Sequence, residues 1–224
     1  MTRPDVIFFD VNETLLDLAG LRPRFEEVFG SADAMSEWFV RMLHGSLVAN
    51  HVGNHRPFGL IGAEALMVLA QKRGIMVEPA RAAEIVESMR TLPAHPDVAA
   101  ALDGLVAAGF RLVALTNSSS DAVQAQLTNA GLDSRFERAI SVDSVGRFKP
   151  SPDVYLHAAM QVTVDIDRAM LVAAHDWDII GARSVGMPGA FLARPGVVWG
   201  MPDNPPAIVA ADLAGAANQI LLLE

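Results

Sequence analysis

Polar side chains follow four short apolar segments of this sequence, and together they form a set that can do covalent chemistry. In chain order they are Asp10 with Thr14, Thr116 with Asn117, Lys149, and Asp178. A carboxylate held at the end of a buried strand can attack an electrophilic carbon and form an ester. Each residue alone is also typical of a helix cap, a turn or a solvated loop. Their order and spacing across four segments indicate an active site.

Asp10 is the predicted nucleophile of this set. A nearby ammonium group such as that of Lys149 favours the ionised carboxylate and positions it. The residues leave two roles open for Asp178, which either orients Lys149 or activates the water that cleaves the ester. The hydroxyl and amide groups would orient the nucleophile or hold a substrate carboxylate; they belong to Thr14, Thr116 and Asn117.

The elements that must position these residues follow from the apolar pattern. Segments 6–9, 111–116, 138–142, 170–174, 189–192 and 208–211 are predicted strands. They alternate with amphipathic helical patterns, which predicts βα units around a parallel sheet. A helix is predicted to begin near Asp121, capped by the preceding serines, and to end at Gly131. Ligands of such sheets bind beyond the carboxyl ends of the strands, where the four polar groups are expected to meet.

Residues 18–93 differ from the rest because they show helical periodicity and no strand pattern. We therefore predict an α/β protein with two domains. A Rossmann-like parallel-sheet core, with helices on both faces, comprises residues 1–17 and 94–224. An inserted helical cap comprises residues 18–93, and segment 93–96 is the predicted return linker.

Composition limits the function classes. The chain has 224 residues, 51% of them hydrophobic, and a formal net charge of −9, which argues against nucleic acid or an anionic membrane as partner. It has no cysteine, so neither a thiol nucleophile nor a disulfide is available. The apolar segment 6–9 is too short for a signal peptide or a membrane span, so we expect a soluble, cytoplasmic protein. Homodimers are common among such enzymes, and a homodimer is the assembly to test.

Four motifs carry a family resemblance. They are Phe-Asp-Val-Asn-Glu-Thr-Leu-Leu at 9–16, Leu-Thr-Asn-Ser at 115–118, Lys-Pro-x-Pro-x-x-Tyr at 149–155, and Trp-Asp-x-x-Gly-Ala at 177–182. The chain resembles the haloacid dehalogenase-like superfamily and, through the spacing of Lys149 and Tyr155 and the pair Trp177–Asp178, its type II (L-2-haloacid) dehalogenases. The resemblance implies hydrolytic dehalogenation of a short 2-haloalkanoic acid to the 2-hydroxyacid through an ester on Asp10, with no cofactor and no metal.

Most members of this superfamily are magnesium-dependent phosphatases, and two residues argue against that activity. Asn12 stands where the phosphatases carry an acid–base aspartate. Ala174 stands where they carry an aspartate that binds magnesium. Displacement of a halide needs neither group. A phosphatase-like hydrolase of the same superfamily and a non-catalytic binding scaffold are the alternative functions.

The chain also departs from the dehalogenase pattern of Ser-Ser-Asn before Trp-Asp. Ala173 replaces the first serine, and His175 replaces the asparagine near the halide. His175 either donates a hydrogen bond to the halide or only packs and bonds to backbone. Asp176 either pairs with His175 or faces solvent. The preferred halogen stays open, fluoride included.

The remaining site predictions follow from family positions. Arg41 is the predicted halide-binding arginine of the cap, with a surface arginine as the alternative. The predicted substrate-binding residues, besides Thr116, Asn117 and His175, are Val11, Asn12, Phe58, Tyr155 and Trp177. His44, His51 and His55 are predicted to lie in a loop and to bind no metal, because Gly53, Asn54 and Pro57 disfavour a regular helix there.

Overall fold

The centre of the protein is a parallel sheet, seen in a computed structural model that describes residues 2–224. Its strands are β1 (Val6–Phe9), β2 (Arg111–Thr116), β3 (Arg138–Ser141), β4 (Ala169–Ala173), β5 (Gly189–Leu192) and β6 (Ile208–Ala210). The predicted strands are confirmed to within one residue at each end. β3 stops at Ser141 because the Ser141 hydroxyl accepts a hydrogen bond from the N–H of Asp143 and starts a 3₁₀ turn there.

The strand order is β3-β2-β1-β4-β5-β6, so β1 lies between β2 and β4. Phe9, the last residue of β1, is level with Ala114 of β2 and with Val172 of β4. The chain leaves β1 toward one edge of the sheet and later returns to build the other. This reversal is the topological switch point, where parallel sheets bind their ligands, and Asp10 directly follows it.

Helices cover both faces of the sheet. They are α5 (Val98–Ala107), α6 (Ser120–Asn129), α7 (Pro152–Gln161), α8 (Asp176–Ser184) and α9 (Leu213–Leu221). Right-handed crossovers place α5 and α6 on one face and α7 and α8 on the other. In agreement, α5 packs on α9, and α7 packs on α8. The predicted α/β fold class is therefore confirmed, and α6 begins where the serine cap predicts, with Ser119 accepting from the N–H of Ala122.

The chain from residue 18 to residue 91 is helical and contains no strand in the described structure. It forms α1 (Arg22–Phe29), α2 (Ala34–Val52), α3 (Phe58–Lys72) and α4 (Pro79–Glu87), with 3₁₀ turns at Leu18–Leu21 and Ser88–Thr91. The Trp38 indole donates to the carbonyl of Gly62 at 2.8 Å and ties α2 to α3. The division into two domains at residues 17 and 93 stays a prediction.

The segment that returns the chain to the core runs beside the first motif. The N–H of Asp17 donates to the carbonyl of Pro93, and the N–H of His95 donates to that of Leu15, at 2.8 and 2.9 Å. These bonds close the helical region at its base, so its two ends leave the core side by side.

The prediction of loop histidines was wrong for two of the three. α2 continues to Val52 and includes His44 and His51, because the helix breaks only at Gly53, whose φ of 67° suits glycine. His55 does lie in the following loop, where its ring nitrogen contacts Asp143 at 3.2 Å. Among residues 2–224, no helix is long and apolar enough to cross a membrane.

Candidate active site

Asp10, Lys149 and Asp178 meet at the carboxyl end of the sheet, as their positions after β1, β3 and β4 predict. The Lys149 ammonium donates to Asp10 Oδ1 at 2.8 Å, to Asp178 Oδ2 at 2.6 Å and to the carbonyl of Leu115 at 2.9 Å. All three donors of the ammonium are therefore used, and its side chain is only 1% exposed. The amine holds two carboxylates that would otherwise repel each other.

The pKa values in this trio follow from burial and charge. Burial alone would raise the pKa of Asp10, but Lys149 and then His175 hold it well below its ordinary range. Burial, reinforced by the charge of Asp10, raises the pKa of Asp178 despite its bond to Lys149. The two carboxylates favour the charged ammonium and raise the pKa of Lys149, although burial opposes it. Asp10 is thus kept as a carboxylate, which is the form a nucleophile needs.

Tyr155 fixes the far side of Asp178. Its hydroxyl donates to Asp178 Oδ1 at 2.6 Å, and the tyrosine is fully buried. A Cβ at position 181 would lie 2.5 Å from that hydroxyl oxygen, which explains the glycine of the fourth motif. Both carboxylate oxygens of Asp178 are therefore held, one by Lys149 and one by Tyr155. Tyr155 lies behind this carboxylate rather than at a cavity surface.

Thr14 holds the other oxygen of Asp10. Its hydroxyl donates to Asp10 Oδ2 at 2.8 Å and accepts from the N–H of Ala174 at 2.8 Å. The threonine therefore links the first motif to the end of β4. Asn117 acts similarly for the lysine loop, since its Oδ1 accepts from the N–H of Lys149 at 2.9 Å.

His175 lies between Asp10 and a second carboxylate, Glu13. Its Nδ1 is 3.0 Å from Asp10 Oδ2, and its Nε2 is 2.8 Å from Glu13 Oε2. Burial opposes the charged ring, but the two carboxylates raise the pKa of His175 to about 10. The ring is therefore an imidazolium at neutral pH, and both of its nitrogens donate. We call Asp10, Glu13, Lys149, His175 and Asp178 the ionic cluster.

Glu13 is not among the site residues predicted from the sequence, although it lies within the first motif. Its φ of 61° is left-handed, a conformation that costs a non-glycine residue about 1–2 kcal/mol. Outside bonds hold it there: the carbonyl of Glu13 accepts from His95 at 3.1 Å, and that of Thr14 accepts from Arg194 at 2.8 Å. A charged residue between Asn12 and Thr14 carries no spacing signal, so only the structure reveals its role.

Beside the ionic cluster lies a cavity of about 430 Å³. Glu13, Lys149 and His175 form its polar end. The rest is mostly apolar, with Leu18, Met35, Phe39, Val40, Leu43, Leu47 and Trp177 among its lining residues. Trp177 stacks on His175 with ring centroids 5.0 Å apart, and Phe39 approaches the same ring at 6.0 Å. Two of the three groups that hold the Asp10 oxygens, Lys149 and His175, thus line a mostly apolar cavity.

Other predicted site residues lie elsewhere. Arg41 does not line this cavity; its Nε is buried and has no hydrogen-bond partner among residues 2–224. Phe58 lines a separate cavity of about 320 Å³.

Val11 is fully buried, and its carbonyl accepts from the N–H of Leu15. The Thr116 hydroxyl accepts from the N–H of Ser118 and shapes the loop after β2. Their substrate contacts stay predictions.

The side-chain amide of Asn12 is used in hydrogen bonds to two other side chains. Its Nδ2 donates to Ser118 Oγ at 3.2 Å, and its Oδ1 accepts from Gln126 at 2.9 Å. Asp176 does not pair with His175: it is half-buried, and its Oδ1 accepts from the N–H of Trp177 at 2.7 Å. The suggested Asp176–His175 pair is therefore corrected to Glu13–His175.

The chain is similar to one protein family and to several named relatives. A model of haloacid dehalogenase-like hydrolases matches residues 4–186. The chain is 27% identical over 217 residues to the (S)-2-haloacid dehalogenase H-109 of Pseudomonas putida, covering 96% of this chain and 97% of the relative. It is 26% identical to the haloacetate dehalogenase H-2 of Moraxella sp. (strain B), covering 89% and 90%.

Solved structures share the fold. The L-2-haloacid dehalogenase of Xanthobacter autotrophicus covers both chains completely with a TM-score of 0.90 at 24% identity. A second structure of that enzyme, with chloropropionic acid covalently bound, has a TM-score of 0.89 at 23% identity, again over both whole chains. With the family model matching most of its length, the chain belongs to the haloacid dehalogenase-like hydrolases.

Proposed function

We propose that this protein is a hydrolase acting on carbon–halogen bonds, which converts a 2-haloalkanoic acid to the 2-hydroxyacid through an ester on Asp10. The observation that carries the proposal is the ionised, buried Asp10 carboxylate. One of its oxygens is held by Lys149, and the other is held by Thr14 and His175. Such a carboxylate is positioned to displace a leaving group that needs no proton.

The first step is an in-line displacement. Asp10 attacks Cα of the substrate from the side opposite the halogen, the Asp10 O–Cα bond forms, and halide leaves with the bonding electrons. The enzyme of Xanthobacter autotrophicus with covalently bound chloropropionic acid supports such an intermediate on this fold. Attack on one face inverts the configuration at Cα.

The second step is hydrolysis of the ester. Water attacks the carboxyl carbon of Asp10, and its proton passes through Lys149 to Asp178, whose raised pKa suits a base. The Cγ–O bond to the substrate breaks, and one oxygen of Asp10 leaves as the hydroxyl of the product. Tyr155 and Lys149 hold Asp178 in place for this transfer.

Charge balance supports a role for Arg41. The ionic cluster has three carboxylates and two cations, which leaves one net negative charge beside the cavity. An anionic substrate and a leaving halide therefore need a cation from outside the cluster. Arg41 follows the cavity residue Val40 on α2, and its buried Nε has no partner among residues 2–224. We assign it to the halide, which its side chain reaches by turning toward the cavity.

Phosphoryl transfer fits this site less well. An alcohol leaving group needs an acid, but both polar ends of Asn12 are bound to Ser118 and Gln126. The position of Ala174 offers only its backbone, and its N–H is bound to Thr14. A binding scaffold has no need of a buried ammonium between two carboxylates, whose desolvation destabilises the fold.

The test measures halide release from fluoroacetate, chloroacetate and each enantiomer of 2-chloropropionate. The assays contain EDTA, and the Asp10→Asn variant is measured in parallel as the control. We expect halide release from the natural chain and none from the variant, with both folded by circular dichroism. In single-turnover reactions in water enriched in heavy oxygen, the label should enter Asp10. No halide from any substrate with the natural chain would refute the proposal and direct the work to phosphate esters with magnesium.

A further inference from the structure

The contact between Glu13 and His175 has no part in the two steps above, which use Asp10, Lys149 and Asp178. Glu13 Oε2 lies 2.8 Å from His175 Nε2, and the opposite nitrogen of the same ring lies 3.0 Å from Asp10 Oδ2. Phe39 and Trp177 also pack near the ring, with centroids 6.0 and 5.0 Å from its own. The imidazole can therefore neither rotate nor leave the Asp10 oxygen without breaking its bond to Glu13.

A hydrogen bond from an imidazolium affects the two half-reactions differently. In the displacement step it withdraws charge from the Asp10 carboxylate and does not assist attack. In the hydrolysis step it assists whichever oxygen carries the ester. If Oδ2 is the ester oxygen, Nδ1–H protonates the leaving alkoxide; if Oδ2 is the carbonyl oxygen, Nδ1–H stabilises the tetrahedral oxyanion.

We propose, building on the proposed dehalogenase function, that His175 is a catalytic residue of ester hydrolysis and that Glu13 is the positioning residue that keeps it protonated and aimed at Asp10. When the alkoxide takes the Nδ1 proton, His175 becomes neutral. The new Asp10 carboxyl then returns a proton to Nδ1 and becomes the carboxylate again. The proton that water gave to Asp178 leaves to solvent, so one proton and one halide are released in each cycle.

The charge of the ring depends on what faces it. Asp10 and Glu13 of the first motif contact the ring directly, and Lys149 and His44 line the same cavity. Only Asp10 and Glu13 make ion pairs with it. Removal of the Glu13 charge leaves Asp10 as the sole partner, and the pKa of His175 should fall.

The test compares Glu13→Gln, Glu13→Asp and His175→Gln with the natural chain, using rapid-quench halide release and intact mass. For Glu13→Gln we expect one halide per enzyme in the first turnover, then kcat lowered about 10–100-fold. The ester adduct should accumulate on Asp10. His175→Gln should show the same adduct, and Glu13→Asp should recover part of kcat. Glu78→Gln, an exposed glutamate on the helical region, is the matched control.

The pH profile separates positioning from a loss of structure. The pKa of His175 is raised, so its proton is present below that pKa and is lost as pH rises through it. In the ester the Asp10 carboxyl is neutral, so Glu13 alone keeps the pKa of His175 raised, and turnover by the natural chain should fall only at alkaline pH. In Glu13→Gln the falling limb should move about 1–3 units toward neutral pH.

Two outcomes overturn the inference while leaving the proposed function intact. One is a folded Glu13→Gln or His175→Gln that releases halide at the natural steady-state rate with no adduct. The other is a slow Glu13→Gln with an unshifted pH profile and no adduct. Absence of halide even from the natural chain instead refutes the dehalogenase function itself.

Discussion

The two sides of the cavity are built in opposite ways. The ionic cluster is nearly buried, and each of its charged groups bonds to an oppositely charged neighbour. The α2 side is apolar, and Val40 and Leu47 on it are 66% and 44% exposed. A change in the cluster therefore takes an ion-pair partner from at least one other charged group, whereas residues on the surface of α2 can be replaced at small cost in stability. Reactivity should reside in the cluster, and substrate selection in α2.

The largest effect is expected for Lys149→Met. The substitution leaves Asp10 and Asp178 as buried carboxylates without their shared cation, so it should lower kcat by about 10³-fold or more. It should also lower the free energy of unfolding by about 3–5 kcal/mol. Halide release and urea denaturation measure both effects. Lys72→Met, at the exposed end of α3, is the control. A Lys149 variant with natural turnover would contradict the proposed mechanism.

Arg41→Met tests whether α2 contributes one charged group to an otherwise apolar side. Methionine keeps an apolar stem and removes the only cation assigned to the halide, so kcat/KM should fall about 10²–10³-fold. Initial rates with chloroacetate measure the loss, and Arg22→Met on α1 serves as the control. Unchanged rates would place Arg41 outside the site and leave the halide to the ionic cluster alone.

Tyr155→Phe removes one hydrogen bond from the buried end of the cluster. Asp178 loses the partner of Oδ1 but keeps Lys149, so we expect the free energy of unfolding to fall by about 1–3 kcal/mol. Turnover should fall about 10-fold, less than the full contribution of a general base. Chemical denaturation and kcat report the two changes. A stable variant with natural kcat would show that Lys149 alone orients Asp178.

The smallest effect is expected on α2. Val40→Trp fills part of the cavity from an exposed position, so stability should change by no more than about 0.5 kcal/mol. KM for 2-chlorohexanoate should rise about 3–10-fold, with little change for chloroacetate. Val52→Trp, an exposed position at the end of α2 outside the cavity, is the control. Equal effects on both substrates would mean that the mostly apolar cavity does not hold the alkyl chain.

The local sequence was enough to predict the strands, because a buried parallel strand needs a continuous apolar segment and a polar residue marks its end. The same rule predicted that Asp10, Lys149 and Asp178 meet, since the carboxyl ends of parallel strands share one edge of the sheet. The rule does not predict contacts between side chains and loops that are far apart in the sequence. Asn50 of α2, for example, accepts from the N–H of Phe148 and so braces the lysine loop, which no spacing predicts.

The sequence by itself determined the α/β class, the helical insertion after the first strand and the identity of the charged trio. Each of these depends on residue type and periodicity along the chain. Only the tertiary structure decided the partner of His175, because Glu13 and His175 are 162 residues apart. Their contact exists only since the left-handed turn at Glu13 brings its carboxylate to the end of β4. Pairing of distant charges is a property of the packed chain, and local pattern does not encode it.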